Sequence, residues 1–200
     1  MRYTKLILAG LIALLLSACG NEEVVQKKEE TKGFKVGAKI ELQSVMGSKI
    51  ELARTEKGFV LANDAKKILI FDIFGTFCQP CKNEASNLMD FQLKNADDVM
   101  IVALSHFETV TNEYIVDNFS SKYNAYYFIV NDPRNKIIVE TILDDIKYTE
   151  QLKIPFKVVL KDGVYQKLTD IYEGNTENRY YIGEVPIHII QNDIDKLKKQ

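Results

Sequence analysis

The run Ile68-Leu69-Ile70-Phe71-Asp72-Ile73-Phe74 is followed after three residues by Cys78-Gln79-Pro80-Cys81, then by apolar side chains at helical spacing, Cys81, Ala85, Leu88 and Met89. No other segment constrains the chain as much. A near-continuous apolar run of this length reads as a strand buried on both faces, which places it inside a sheet covered by helices on both sides. The two cysteines then fall at a helix start. Unpaired backbone N–H groups and the helix dipole favour an anion there, so Cys78 is placed to be the better thiolate, below the free-thiol value of roughly 8.5. Cys81, nearly a turn further on, shares that face and is expected to be more buried. Pro80 lacks an N–H and presets φ, both suited to a first helical turn; it either stiffens the bend between the sulfurs or simply initiates the helix.

A CxxC spacing also serves metal sites, which normally need a second ligand pair. The remaining cysteine is Cys19, and the two histidines, His106 and His188, lie far apart with no ligand-spaced companion. Context therefore favours dithiol redox chemistry, and no metal site is expected. A Cu(I) site built from Cys78, Cys81 and His106, as in a metallochaperone, is the reading from another class, because soft thiolates select Cu(I). His106 otherwise reads as a surface loop histidine.

Arg2 and Lys5 precede the apolar stretch Leu6 to Leu16, which Ser17-Ala18-Cys19 closes. The stretch is short for a membrane span and has the flanks of a secretory signal, with a short transmembrane anchor as the competing reading; either way the domain is expected to be exported and tethered. It resembles the lipobox of bacterial lipoproteins. Residues 1–18 are expected to be removed as a signal peptide, and Cys19 to become the lipidated N-terminus. Loss of Arg2 and Lys5 leaves 24 basic against 28 acidic side chains, a balance that argues against nucleic acid as partner. From Asn21 to Lys32 only Val24 and Val25 are apolar, so residues 19–35 read as lipidated cysteine plus solvated tether. Residues 36–200 suffice for one domain with a sizeable core.

Along that domain, Ile40 to Leu42 and Lys49 to Leu52 flank Met46-Gly47-Ser48 as a β-hairpin, followed by a strand at Gly58 to Leu61. Val99 to Leu104 and Tyr126 to Val130 read as further strands. Val110, Tyr114 and Phe119 mark one helix, Ile138, Ile142 and Ile146 another. Phe156 to Leu160 and Val164 to Leu168 form a hairpin across Lys161-Asp162-Gly163, since Asp-Gly supplies the turn. Ile187, Ile190, Ile194 and Leu197 finish with an amphipathic helix. The order is α/β: a central sheet with helices on both faces. Tyr172, Tyr180 and Tyr181 read as cover for a sheet edge, with a substrate groove as the competing use. Residues 173–183 look like an insertion.

Phe74-Gly75-Thr76-Phe77-Cys78-Gln79-Pro80-Cys81-Lys82-Asn83-Glu84 resembles the FWGTWCxPCKxE pattern of the TlpA/ResA-like thiol-disulfide oxidoreductases of the thioredoxin superfamily, with phenylalanine at both tryptophan positions. Val36-Gly37, the hairpin around Gly47, and Leu52 are similar to the N-terminal extension of that branch. The resemblance covers residues 36 to 199 and implies a thioredoxin fold: a central mixed sheet flanked by helices, with an N-terminal β-hairpin extension.

It implies roles as well. Ile154-Pro155 resembles the segment carrying the family's cis-proline, which docks substrate backbone beside the disulfide; Phe77 and Pro80 would join Ile154 and Pro155 there, and Phe156 replaces the usual threonine. Asp72, an acid inside an apolar strand, matches the buried aspartate of thioredoxins, where desolvation raises the pKa and fits the group to take the proton of Cys81. A strand-end residue reaching water is the competing reading. Glu84 matches a glutamate near the active site of ResA-like members; a solvated helix face or a dipole partner in the first helical turn competes. The implied activity is a lipid-anchored, extracytoplasmic reductase of protein disulfides in the bacterial cell envelope, periplasm-facing if Gram-negative, with no cofactor beyond the redox-active Cys78–Cys81 disulfide. Implied partners are disulfide-containing exported proteins, among them apocytochrome c, and a membrane thiol-electron donor of the DsbD/CcdA type. A disulfide-forming oxidase would use the same residues. A thiol peroxidase is disfavoured, since Gly75 and Phe71 stand where it needs threonine and proline.

Overall fold

The computed structural model describes residues 33–172 and 177–200. The signal segment 1–18, Cys19 and all but the last three tether residues lie outside them. Among the described residues no helix is long and apolar enough to cross a membrane.

Strands β1 (Lys39–Gln43), β2 (Lys49–Arg54) and β3 (Phe59–Leu61) form a small antiparallel sheet. β4 (Ile68–Phe74) is buried at every position, as the unbroken apolar run requires, and leads into α1 (Gln79–Lys94). β5 (Val99–Ser105) follows, then α2 (Asn112–Ile115), a π-helical turn (Val116–Ser120) and α3 (Ser121–Tyr123). Next come β6 (Phe128–Val130), α4 (Asn135–Ile146), β7 (Phe156–Lys161), β8 (Val164–Tyr165), β9 (Tyr181–Ile182) and α5 (Ile187–Lys198). The main sheet has the order β6-β5-β4-β7-β8, with β9 also pairing β7. β4, β5 and β6 run parallel, and β7 is antiparallel to β4. This is the mixed sheet with a hairpin extension that the motifs imply.

The pleat of β4 sorts the molecule into two cores, because alternate side chains leave opposite faces. Ile68, Ile70 and Phe74 pack with Leu88 of α1 and Ile190 and Ile194 of α5. Leu69, Phe71 and Ile73 pack with Leu52 and Phe59 of the small sheet and Ile138 and Ile142 of α4. Each such side chain withdrawn from water contributes roughly 1.5–3 kcal/mol. Asp72 is in phase with the first set, so it points toward α1.

Three elements depart from the periodicity. The helix expected through Val110, Tyr114 and Phe119 is broken into two short α segments around the π turn, which seats the Phe119 ring 4.7 Å from that of Phe74. The Asp-Gly turn holds, with Asp162 and Gly163 both at positive φ, but β8 stops at Tyr165 instead of continuing to Leu168. The chain leaves the sheet there: Gln166 N–H donates to Val159 O, and Leu168 bridges to Asn178. The described end of the 173–183 insertion returns as β9, beside the start of β7. Tyr181 is buried in the α1 and α5 core, where its hydroxyl donates to Asp193, and Tyr180 stacks on Phe156 at 5.1 Å. These two tyrosines close a sheet edge, leaving Tyr172 exposed.

Candidate active site

β4 delivers the Gly75-Thr76-Phe77 loop, and α1 begins where that loop ends. Cys78 is the N-cap: its backbone is extended, and its Sγ accepts the N–H of Cys81 at 3.2 Å. Pro80 is inside the first turn, where its missing N–H leaves no helical hydrogen bond unmade. Cys78 and Cys81 are joined as a disulfide with Cα atoms 5.3 Å apart. Cys78 is 7% exposed, and Cys81 is buried beneath it. The Ile154–Pro155 peptide bond is cis. A Cβ on Gly75 would lie 2.7 Å from the Phe77 ring and 3.2 Å from Ile154 Cδ1, so glycine lets Phe77 fold over the loop toward Ile154. Phe77, the residue before Cys78, and Ile154, the residue before the cis-proline, thus meet at Gly75.

One helical turn past Cys81, α1 meets a charged cluster closed to water. Asp72 and Lys157 are directly opposite each other across the β4–β7 pair, and Glu84 reaches them from α1. Their exposures are 2%, 0% and 3% for Asp72, Lys157 and Glu84. Lys157 Nζ donates a short hydrogen bond to Glu84 Oε1 and lies 3.4 Å from Asp72 Oδ1, which has no hydrogen-bond partner. Glu84 Oε2 accepts the Val185 N–H at 3.4 Å. Asp72 is therefore no strand-end residue reaching water. Glu84 is neither solvated nor in the first helical turn, since α1 starts at Gln79.

One cation serves two carboxylates, and burial penalises the uncompensated charge. Burial pushes Glu84 up to about 7; the Lys157 ammonium pulls the other way, and the Asp72 charge adds to the rise. Asp72 is raised by burial against the pull of Lys157. Burial works against the Lys157 charge, but the two carboxylates together carry its pKa above the ordinary value. Buried Tyr127 feels both carboxylates too, and its hydroxyl is pushed well above its ordinary range, by burial first. The cluster is one proton short of neutrality when both acids are ionised, so it can take up and release a single proton near neutral pH.

A third carboxylate holds the loop. Glu108, just after β5, accepts the Thr76 N–H at 2.7 Å, the Thr76 hydroxyl at 2.5 Å and the Ser105 hydroxyl at 3.1 Å. His106 is half-buried, its backbone N–H donating to Phe74 O, and burial lowers the pKa of its ring against the pull of Glu140. Among the described residues no group of three or more His, Cys, Asp or Glu side chains is placed to hold a metal ion.

Sequence reasoning singled out Cys78, Cys81, Asp72, Glu84, Ile154, Pro155, Phe77 and Pro80, and the fold brings all eight to one end of β4. It missed Lys157, although a lysine in Phe156-Lys157-Val158-Val159-Leu160 is as out of place as an acid in β4 and was a readable signal. Glu108 had none, because its role depends on which loop lies opposite.

The sheet order, the strand-to-helix turn with its cysteine pair and the antiparallel β7 after a cis-proline define the thioredoxin fold, and the chain has that fold. No protein-family model matches the chain, and no curated protein does. Among solved structures, it is similar to StoA from Bacillus subtilis, at 18% identity over 78% of this chain and 96% of that one, with a TM-score of 0.52. A thiol:disulfide interchange protein of the thioredoxin family from Chlorobium tepidum is 16% identical over 81% of this chain and 94% of its own, TM-score 0.53. The pneumococcal exposed lipoprotein thioredoxin from Streptococcus pneumoniae is 15% identical over 80% and 99%, TM-score 0.51.

Proposed function

We propose that this protein is a thiol-disulfide oxidoreductase of the bacterial cell envelope, tethered through a lipid on Cys19, that reduces disulfides in exported proteins. The observation that carries the reading is the Cys78–Cys81 pair at the α1 N-terminus, with a buried cluster able to hold one proton met by the same helix at Glu84, three residues past Cys81. The StoA and thiol:disulfide interchange folds support the redox class, and the exposed lipoprotein thioredoxin supports the location.

In the reduced protein the Cys78 thiolate, favoured by the α1 N-terminus, attacks one sulfur of a client disulfide. A mixed disulfide forms and the client's second sulfur leaves as a thiolate, which takes a proton. Phe77, Ile154 and Pro155 hold the client segment. The Cys81 proton then passes to the Asp72/Glu84 cluster, and the Cys81 thiolate attacks Cys78 Sγ, closing the disulfide and freeing the second client thiol. Two electrons move from the protein to the client. A membrane thiol-electron donor of the DsbD/CcdA type restores the dithiol, and apocytochrome c is one client that fits.

The reduction potential of the purified protein in defined thiol buffers tests the direction. A value near −270 mV supports the reductase; one near −120 mV turns it into an oxidase. If Cys78→Ser still catalyses insulin reduction, the mechanism is wrong.

A further inference from the structure

Lys157 is a wholly buried cation on β7, two residues past the cis-proline. Lysine is almost never fully buried unless its charge is paired. Register places it opposite Asp72 of β4, on the same face of the sheet, with Nζ 3.4 Å from Asp72 Oδ1. The same ammonium donates a short hydrogen bond to Glu84 of α1. Glu84 and Cys81 are three apart on α1, neighbours on one helix face, and both are buried. The lysine thus reaches the dithiol through the carboxylates.

The groups packed around it leave the charge count at one cation against two acids. Tyr127, a buried phenol that feels both carboxylates, stays neutral. From β9, Tyr181 is in register with Lys157, but its hydroxyl donates to Asp193 of α5, which Thr169 and Lys196 also hold. The remaining partner is the Val185 N–H on Glu84 Oε2.

That count decides what the cluster can do. One acid with one cation is a matched pair, as Arg54 and Asp145 are, and its carboxylate has little affinity for a proton. Two acids without the cation would both be charged where water is excluded, and burial would keep protons on them. With two acids and one ammonium, one carboxylate charge is balanced and the other can take a proton or give it up.

We propose that Lys157 is a positioning residue of the redox step: its ammonium gathers Asp72 and Glu84 in one place and balances one of their charges, so that the other carboxylate can take the Cys81 proton. The inference rests on the dithiol reading and extends it to β7. The Cys81 thiol gives its proton to that carboxylate as its sulfur attacks Cys78 Sγ. The bond to the client sulfur breaks, and the electron pair leaves with the client thiolate. Re-reduction of the disulfide returns a proton to Cys81.

The test reads kcat and KM for insulin reduction by dithiothreitol, with the full chain in detergent, from about pH 6 to pH 9. Each variant is taken as a ratio to the unaltered chain at the same pH, so the titration of dithiothreitol cancels. Lys157→Met is expected to lower kcat per folded molecule about tenfold at pH 7 with KM unchanged, the deficit shrinking toward pH 9 as a carboxylate sheds its proton. If that variant does not fold, Lys157→Met combined with Glu84→Gln, which leaves one acid able to sit buried and protonated, is compared with Glu84→Gln alone. The same loss at neutral pH and the same recovery at high pH are expected. An unchanged kcat, a loss equal at every pH or a loss carried by KM overturns the proposal and leaves the dithiol reading standing. An unaltered chain that does not accelerate insulin reduction removes the dithiol reading, and the proposal with it.

Discussion

Two ion clusters on opposite faces of the main sheet use similar groups to opposite ends. On the face carrying the small sheet and α4, the Arg54 guanidinium donates to both oxygens of Asp145 at 2.7 and 2.6 Å and to Gly58 O, and stands 5.0 Å from the Phe59 ring centre. Tyr165 adds a hydroxyl to the same carboxylate at 3.0 Å. Charge is matched one to one in a bidentate geometry, so the pair ties β2 to the end of α4 and has no reason to exchange a proton. On the α1 face, Lys157 faces two acids, and one Asp72 oxygen has no hydrogen-bond partner. An arrangement built only for stability would have matched those charges; this one is left one proton short of neutrality.

The sharpest way to break this contrast is to remove one charged partner from each cluster. Lys157→Met leaves two buried carboxylates uncompensated and should cost about 3 kcal/mol at pH 8, less at pH 5 where the acids take up protons. Denaturant melts at the two pH values measure this, and a pH-independent loss would make the cluster purely structural. Asp145→Ala should cost about 2 kcal/mol, softened by partial exposure, with unchanged insulin turnover per folded molecule. A change in that turnover would blur the distinction between the faces.

Glu84 supplies a pH test with a definite sign. Its folded pKa of about 7 lies above its ordinary 4.5, so the folded state binds the extra proton between these values. Stability should therefore be highest below pH 4.5 with respect to this group and fall as pH rises toward 7, by at most about 1.4 kcal/mol per unit. Glu84→Gln should flatten that slope in a pH series of melts; a slope that survives assigns it elsewhere. The smallest effect belongs to Tyr165→Phe, about 1 kcal/mol from one lost hydrogen bond, with the pH profile of activity untouched. A moved profile would mean the two clusters communicate.

Much of this was legible in the residues. Six apolar residues in a run of seven made β4 a double-faced strand, CxxC with Pro80 made a helix start, and Asp162-Gly163 made a two-residue turn, because each signal is local. The helix around Tyr114 was only half legible, since the π turn answers to packing of Phe119 on Phe74. β9 could not be read from two residues, Tyr181 and Ile182, whose strand character comes from pairing with Phe156 and Lys157. Asp72 and Glu84 were visible as candidates, and the burial of Asp72 with them, yet the burial of Glu84 and the cation the two share were not.

The sequence alone determined the strand, the helix start and the cysteine pair, because hydrophobic period, missing N–H groups and turn chemistry act within a few residues. Tertiary structure decided which charges meet. Register across β4 and β7 sets Lys157 opposite Asp72, helix packing brings Glu84 to both, and the crossing of two loops puts Glu108 on Thr76. Those contacts join residues far apart in the chain, and the free energy of a buried charge depends on its neighbours in space.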